Sequence, residues 1–336
     1  MSTTASTTDA ADTAVATQPA GKGAAFGYWW DRVGIALVLL LLIVLMAVLA
    51  PNFLTMDNAL NVARAVSINA ILAAGLTLII LTGGIDLSVG SIVAVSGVGA
   101  VLLWSSGTPT PLAVLGGVAI GALAGMVNGA LVAWLALPAF IVTLGSLTAL
   151  RGLAYSMLNG QPLVASELGY RGLGNGSVAG IPQPVVIMVV VYAVAWFLLE
   201  RTRFGRHVYA VGGNMEAARL AGINVKRVLL TVYMLGGAAA GVAGVIFSAR
   251  VLSAQPTAGT GYELDAIAAV VLGGTALAGG RGRILGTLVG AVIIGVLSNG
   301  LVLMNVPFFY QLIIKGLVII IAIALDSLKR FGRGGT

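Results

Sequence analysis

Asp86 is the carboxylate whose setting invites chemistry. It lies in Thr82–Ser91, TGGIDLSVGS, a polar, glycine-rich break between two apolar runs. A charged carboxylate at the bilayer centre costs about 2.5–3.5 kcal/mol on insertion scales, so it needs donors or water. Two roles fit the spacing. Ser88 is placed to cap the helix that follows, and that helix's free amides can face Asp86, a structural role. Alternatively, Asp86 and Ser88 lie in a solute path or bind a proton. Neutral polar residues inside other apolar runs extend that second reading: Asn69, Thr77, Asn128, Thr143 and Asn299, with Ser146 and Gln311. Amides and hydroxyls both donate and accept, which suits hydroxyl-rich solutes. The same side chains also serve as interhelical hydrogen bonds worth about 0.6 kcal/mol each.

A second break reads SAQPTAGTGYELD (Ser253–Asp265), runs into AIAAVVLGG and ends in GGTALAGGRGR. Irregular backbone survives at membrane depth only when buried in protein or lining a wet cavity. Broken helices in the two halves of a transporter point to the translocation site.

The third feature is the polar island at 200–227, ERTRFGRHVYAVGGNMEAARLAGINVKR. It carries Arg201, Arg203, Arg206, Arg219, Lys226 and Arg227, and the lone His207. Asn214 is an N-cap for a short helix over Met215–Ala221, Glu216 sits in its first turn, and Gly222 terminates it. A helix that short is marginal alone in water and calls for a partner.

The elements that position these residues follow from composition. Of 336 residues, 59% are apolar and 9% charged, against about 25% charged in soluble proteins. The chain therefore reads as an all-α polytopic membrane protein. A β-barrel would show short alternating segments, and these runs are continuous. The formal charge of +7 is spread beside apolar runs, which suits topology signals and anionic lipid headgroups rather than nucleic acid. The sequence has no cysteine and one histidine, so it offers no disulfide, thiol chemistry or His-rich metal site.

Ten spans are expected, short and broken ones included: Val33–Leu49, Asn58–Leu81, Val89–Trp104, Leu112–Leu137, Phe140–Leu158, Val185–Leu199, Val228–Ser248, Ala266–Ala278, Ile284–Met304 and Phe308–Leu325. Residues 1–28 read as a disordered cytoplasmic tail and 331–336 as a C-terminal tail, leaving 29–330 as one membrane domain. With both termini cytoplasmic, the island, Arg281 with Arg283, and Lys329 with Arg330 and Arg333 all fall inside, as the positive-inside rule requires. The same parity places 159–184 and 252–265 outside. Arg64, Arg151, Arg250 and Lys315 lie near span ends or snorkel to them. Gly117, Gly121, Gly125 and Gly129 recur every fourth residue, and Gly237 with Gly241 and Gly286 with Gly290 repeat the device. Such spacing lines one helix face for close approach, either as static packing or as a moving interface.

No G-x-x-x-x-G-K-[ST] loop, H-E-x-x-H or G-x-S-x-G occurs. The chain shows no catalytic or ATP-hydrolysing motif, and no cofactor is called for. The rival to an externally driven conduit is a proton-coupled secondary carrier using Asp86, though no second deep acid accompanies it.

Three stretches carry a resemblance: 75–91 (GLTLIILTGGIDLSVGS), 205–225 (GRHVYAVGGNMEAARLAGINV) and 253–287 (SAQPTAGTGYELD…ILGT). Together they resemble the permease subunits of bacterial ABC sugar importers, the ribose branch most closely, from about Pro51 to Lys329. The resemblance implies a homodimeric pore in the cell inner membrane that imports a monosaccharide by alternating access. It implies a cytoplasmic ABC ATPase subunit and a periplasmic sugar-binding protein as partners. It also makes Asn214, Glu216, Ala217, Ala218 and Gly222 the coupling loop that docks on the ATPase.

Overall fold

The structure, a computed structural model, describes residues 22–331. The tail expected over 1–28 lies outside the described residues up to position 21, and 332–336 lie outside them too. From Lys22 onward the chain is already helical.

The described chain is helical almost throughout. In order it runs α1 (Lys22–Leu49), α2 (Met56–Leu81), α3 (Val89–Ser105), α4 (Thr110–Trp134), α5 (Ala139–Met157), α6 (Gly172–Asn175), α7 (Gln183–Arg201), α8 (Arg203–Gly213), α9 (Met215–Leu220), α10 (Val225–Val251), α11 (Tyr262–Leu272), α12 (Ile284–Leu303) and α13 (Phe308–Phe331). Six of these are long and apolar enough to cross a membrane: α2, α4, α5, α7, α10 and α12. Gly34–Leu49, Val89–Ser105 and Phe308–Val318 are shorter apolar stretches.

α2 and α10 form the centre. Most of α2 beyond Val66 is buried, and α10 packs on α4, α3 and α2. The α4–α10 contact is a backbone-to-backbone seam. A Cβ at Gly121 would lie 2.5 Å from the Gly237 carbonyl oxygen and 2.7 Å from Gly241 Cα. The two glycine series read separately in the sequence are thus partners of one another. Large side chains on both would hold the helices apart and leave their faces to lipid, so small residues are what permits this approach.

Two tiny strand pairs lie at one end of the bundle. β1 (Leu163–Val164) pairs antiparallel with β4 (Ser253–Ala254), and β2 (Ser177–Val178) with β3 (Ile181–Pro182). Asn175 donates to the Ala249 and Arg250 carbonyls, tying the 159–184 segment to the end of α10. The opposite end carries α8, α9, the end of α2 and residues 279–283, where Gly280 N–H donates to Leu81 O at 2.9 Å.

Two expectations change. Residues 252–265 do not all stay at the outer end. Ala254 packs with Val98 and Val101, but a Cβ on Gly259 would meet Gly90 O at 2.5 Å, in the first turn of α3. The segment therefore descends along most of α3, a helix about 25 Å long at 1.5 Å per residue. The expected span Ala266–Ala278 is instead α11, eleven residues from Tyr262 to Leu272. At about 16 Å it is too short to cross ~30 Å of hydrocarbon alone. The non-helical lead Ser253–Gly261, two strand residues followed by turns, covers the remaining depth. Its carbonyls are satisfied by protein: Arg151 Nη1 donates to Pro256 O at 2.7 Å and Ala258 O at 2.6 Å. That is what non-helical backbone at membrane depth requires.

Candidate functional site

The short polar helix takes the form its sequence implies. Asn214 Oδ1 accepts from Ala217 N at 2.9 Å, the N-cap bond. At the other end Ile223 N–H donates to Ala218 O and Gly222 N–H to Arg219 O, both at 3.0 Å. That pair of bonds is a Schellman closure, and Gly222 adopts the left-handed φ of +82° that it needs. Glu216 pairs with Arg219 at 2.6 Å on the exposed side, a pair worth under about 1 kcal/mol at a surface. Ala218 is the buried residue of α9, which packs on α8 and α10. Leu220 is 80% exposed and Met215 46%. Two capped ends therefore hold six residues rigid while two apolar side chains and a carboxylate face outward.

The intramembrane candidates separate into groups. Four of the seven come together. Asp86 Oδ1 accepts from Ser88 N–H at 2.8 Å and from Ser88 Oγ at 2.6 Å. Ser88 Oγ accepts from Asn128 Nδ2 at 2.9 Å, and Asn128 Oδ1 accepts from Ser146 Oγ at 2.5 Å. Thr143 Oγ1 reaches Ile85 O at 3.1 Å. This chain crosses from the α2–α3 loop to α4 and α5, and Asp86, Ser88 and Thr143 have no exposed surface.

The other three lie elsewhere. Thr77 pairs with Thr287 at 2.9 Å, α2 to α12. Asn299 exchanges amide hydrogen bonds with Asn58 at 2.9 and 3.0 Å. Asn69 has a buried Oδ1 without a hydrogen-bond partner. Thr77 and Asn299 thus make interhelical bonds.

The sequence proposed that Ser88 caps α3 with its own side chain. Ser88 is the N-cap residue but makes no side-chain cap bond. Its hydroxyl is turned onto Asp86, and Asp86 holds the Ser88 amide from two residues upstream, an Asx-type turn. A single carboxylate oxygen performs this job, which sets a prediction. Asp86→Asn keeps an Oδ1 acceptor and is expected to remain folded. Asp86→Ala leaves the Ser88 amide and hydroxyl without their buried acceptor, a loss of about 1–3 kcal/mol. Thermal unfolding of the purified variants in detergent measures the difference.

Tyr233 was not singled out in the sequence. It is fully buried on α10 and its hydroxyl sits where a Cβ of Gly84 would come within 2.6 Å. Its hydroxyl and Asp86 Oδ2 are both buried without protein partners. Nothing in the local sequence marks a tyrosine on an apolar helix; only the glycine facing it, far along the chain, is a trace. Lys315, read as a snorkelling cation, instead donates to Asp265 Oδ2 at 2.9 Å, with side chains 20% and 11% exposed. The break at Asp86 also belongs to the α8 end of the bundle, since Gly83 and Gly280 flank the same α2 terminus.

α5 leaves a stripe of small residues uncovered between exposed large ones such as Leu144 and Leu153. Gly145, Thr148, Ala149, Gly152 and Ser156 form an exposed stripe, and a Cβ on Gly145 or Gly152 would meet nothing within 4 Å. Lipid-facing positions carry large apolar groups, such as Val189, Val190, Val194 and Phe197 on α7. A small, polar face suits protein or water better.

Comparison with known proteins agrees with this architecture. The family model described as branched-chain amino acid transport system / permease component matches residues 58–323. The chain is 49% identical over 300 residues to the ribose import permease protein RbsC of Escherichia coli (strain K12), covering 88% of this chain and 93% of that one. It is 48% identical over 301 residues to the protein of that name from Bacillus subtilis (strain 168), covering 89% and 94%. It is 39% identical over 305 residues to the D-allose transport system permease protein AlsC of Escherichia coli (strain K12), covering 90% and 94%. No solved structure matches at a significant level. The chain is a multi-pass inner-membrane transport subunit without its own ATPase site, and it belongs to the branched-chain amino acid transport system / permease component family.

Proposed function

We propose that this chain is the membrane permease of a binding-protein-dependent ABC importer that brings a monosaccharide, ribose or a close relative, into the cell. Relatives named for ribose and allose import support the substrate class. The observation that carries the mechanism is α9: a helix capped at both ends that holds Met215, Glu216 and Leu220 outward beside a basic island. A rigid knob of that kind fits a groove on a cytoplasmic ATPase. Asn214, Glu216, Ala217, Ala218 and Gly222 form or shape it.

Two copies assemble with their α5 faces toward each other, and the small polar stripe from Gly145 to Ser156 lines the sugar path. Asp86, Ser88, Asn128 and Thr143 hold that wall from behind rather than touching sugar. The path has ten crossings in each copy, counting α11 with its non-helical lead, and both termini are cytoplasmic. The outer-end segment 159–184, with the β1–β4 pair, receives the periplasmic sugar-binding protein. ATP binding draws the ATPase subunits together, α9 follows, and the path opens outward to take sugar from the docked binding protein. Hydrolysis resets it.

The test is uptake of labelled sugar into proteoliposomes holding the permease and ATPase, with binding protein added outside and ATP trapped inside. Uptake is expected only with all three components. Uptake by the permease alone, driven by a proton gradient, would replace this reading with a secondary carrier.

A further inference from the structure

We infer that Leu81, Gly83, Gly212, Gly279 and Gly280 form a side-chain-free joint that positions the α2–α3 loop and the 275–283 loop against the coupling helix, so that motion of α9 reaches the path wall. This rests on the reading of α9 as the docking helix.

Three chain segments meet there with only backbone between them. Leu81 is the last residue of α2, and its carbonyl oxygen accepts the Gly280 amide at 2.9 Å. Gly212, in the last turn of α8, is seated on that carbonyl. A Cβ there would overlap Leu81 O and come within 2.5 Å of Gly280 N. A Cβ on Gly279 would lie 2.7 Å from Gly83 N and 3.1 Å from Gly212 O, and one on Gly280 would lie 2.8 Å from Gly213 Cα. Side chains can absorb a displacement by changing rotamer. Backbone packed on backbone cannot, so a shift of α8 moves both loops together.

The input side has little slack. α8 ends at Gly213 and α9 begins at Met215, so only Asn214 separates them. Asn214 is fixed twice: its amide donates to Ala210 O, and its side chain caps α9. Tyr209, one turn back on α8, donates its hydroxyl to Gly282 O at 3.0 Å, a second tie to the same loop.

The output side leads to α5. Two residues beyond Gly83, the Ile85 carbonyl accepts from Thr143, and Asp86 begins the hydrogen-bonded chain through Ser88 and Asn128 to Ser146. Thr143 and Ser146 are α5 residues. From Gly280 the chain continues through Arg281, whose carbonyl accepts from Ala276 just past α11. Arg151 on α5 holds the non-helical lead of α11. Both branches therefore return to the helix whose small polar face is uncovered.

The test compares Gly212→Ala with Gly213→Ala in the complete importer. Gly213 is exposed and its Cβ would meet nothing within 4 Å, so that variant is expected to behave as wild type. Gly212→Ala is expected to keep its bound ATPase subunit while stimulation of hydrolysis by the binding protein falls about tenfold, the size of a typical coupling between sites. A folded Gly212→Ala complex with wild-type stimulation and uptake would overturn the joint; so would loss of the ATPase subunit from that variant, because Gly212 would then merely shape the docking surface. If wild type itself does not retain the ATPase subunit, the reading of α9 fails instead.

Because the chain lacks cysteine, a second measurement needs no perturbation at Gly212. Spin labels on Gly213→Cys and Ala278→Cys, in complexes with one labelled copy, report the distance across the joint. That distance is expected to stay constant between nucleotide-free and ATP-trapped states, while each label moves relative to Ser106→Cys at the outer end. A joint that widens, or labels that do not move against Ser106, would overturn the inference even if Gly212→Ala fails to fold.

Discussion

Gly222→Val is expected to cut ATP-driven uptake severalfold or more while leaving the permease folded in the membrane. The reason is confined to one residue's backbone. Gly222 sits at φ +82°, where an L-residue costs about 1–2 kcal/mol and a β-branched one more. The cost falls on a helix of six residues, which has little stability of its own. Losing the left-handed turn breaks the bonds from Gly222 to Arg219 O and from Ile223 to Ala218 O. The ratio of correctly closed to open α9 then falls roughly five- to thirtyfold for 1–2 kcal/mol. Nothing lies within 4 Å of a Cβ at this site, so the bundle has no reason to unfold. Gly222→Asn is expected to fall between the two, because asparagine tolerates this conformation better. ATPase activity and sugar uptake, measured in the same proteoliposomes, separate the effects. Wild-type uptake by folded Gly222→Val would show that the shape of α9 does not matter for drive.

Gly121→Val is expected to have the opposite character: little folded protein, whatever the partners present. The first added carbon meets the Gly237 carbonyl oxygen at 2.5 Å and the Gly241 backbone nitrogen at 2.8 Å. These are backbone atoms, so α4 and α10 must separate along the seam from Gly117 to Gly129. Overpacking costs about 1–3 kcal/mol where side chains can adjust, and more where they cannot. Gly316→Val on α13 is the matched control, since its Cβ meets nothing within 4 Å. Yield and melting midpoint in detergent should collapse for Gly121→Val and hold for Gly316→Val. A Gly121→Val protein as stable as wild type would mean that α4 and α10 are not packed this closely.

These two sites also show what kind of feature a sequence displays. Asn214 and Gly222 act through hydrogen bonds to residues three to five positions away. Their effect is local, so residue type and spacing suffice to read the helix between them. The glycine series on α4 and α10 announced a close approach by their period, because the period is a property of one helix. That they approach each other, with Gly121 against Gly237, is a relation between helices more than a hundred residues apart and carries no local mark.

Asp86 lies between these cases. Its need for donors followed from its charge, and Ser88 was the right neighbour. The direction of the bonds was not legible, because a serine hydroxyl can turn inward to a carboxylate or back to its own helix at similar cost. Asn128, Thr143 and Ser146 joined Asp86, whereas Thr77 and Asn299 found Thr287 and Asn58. All are single polar residues in apolar runs, and the sequence had no means to sort them.

Composition and local order alone determined a helical membrane bundle, a basic polar island and a short capped helix within it, because hydropathy, charge asymmetry and capping act within one segment. Tertiary structure alone decided the descent of Ser253–Gly261 beside α3, the pairing of Asp265 with Lys315, the uncovered face of α5 and the meeting of Leu81, Gly212 and Gly280. Each of these depends on which distant backbones come within a few ångströms, and that is fixed by the packing of the whole bundle rather than by any one stretch of it.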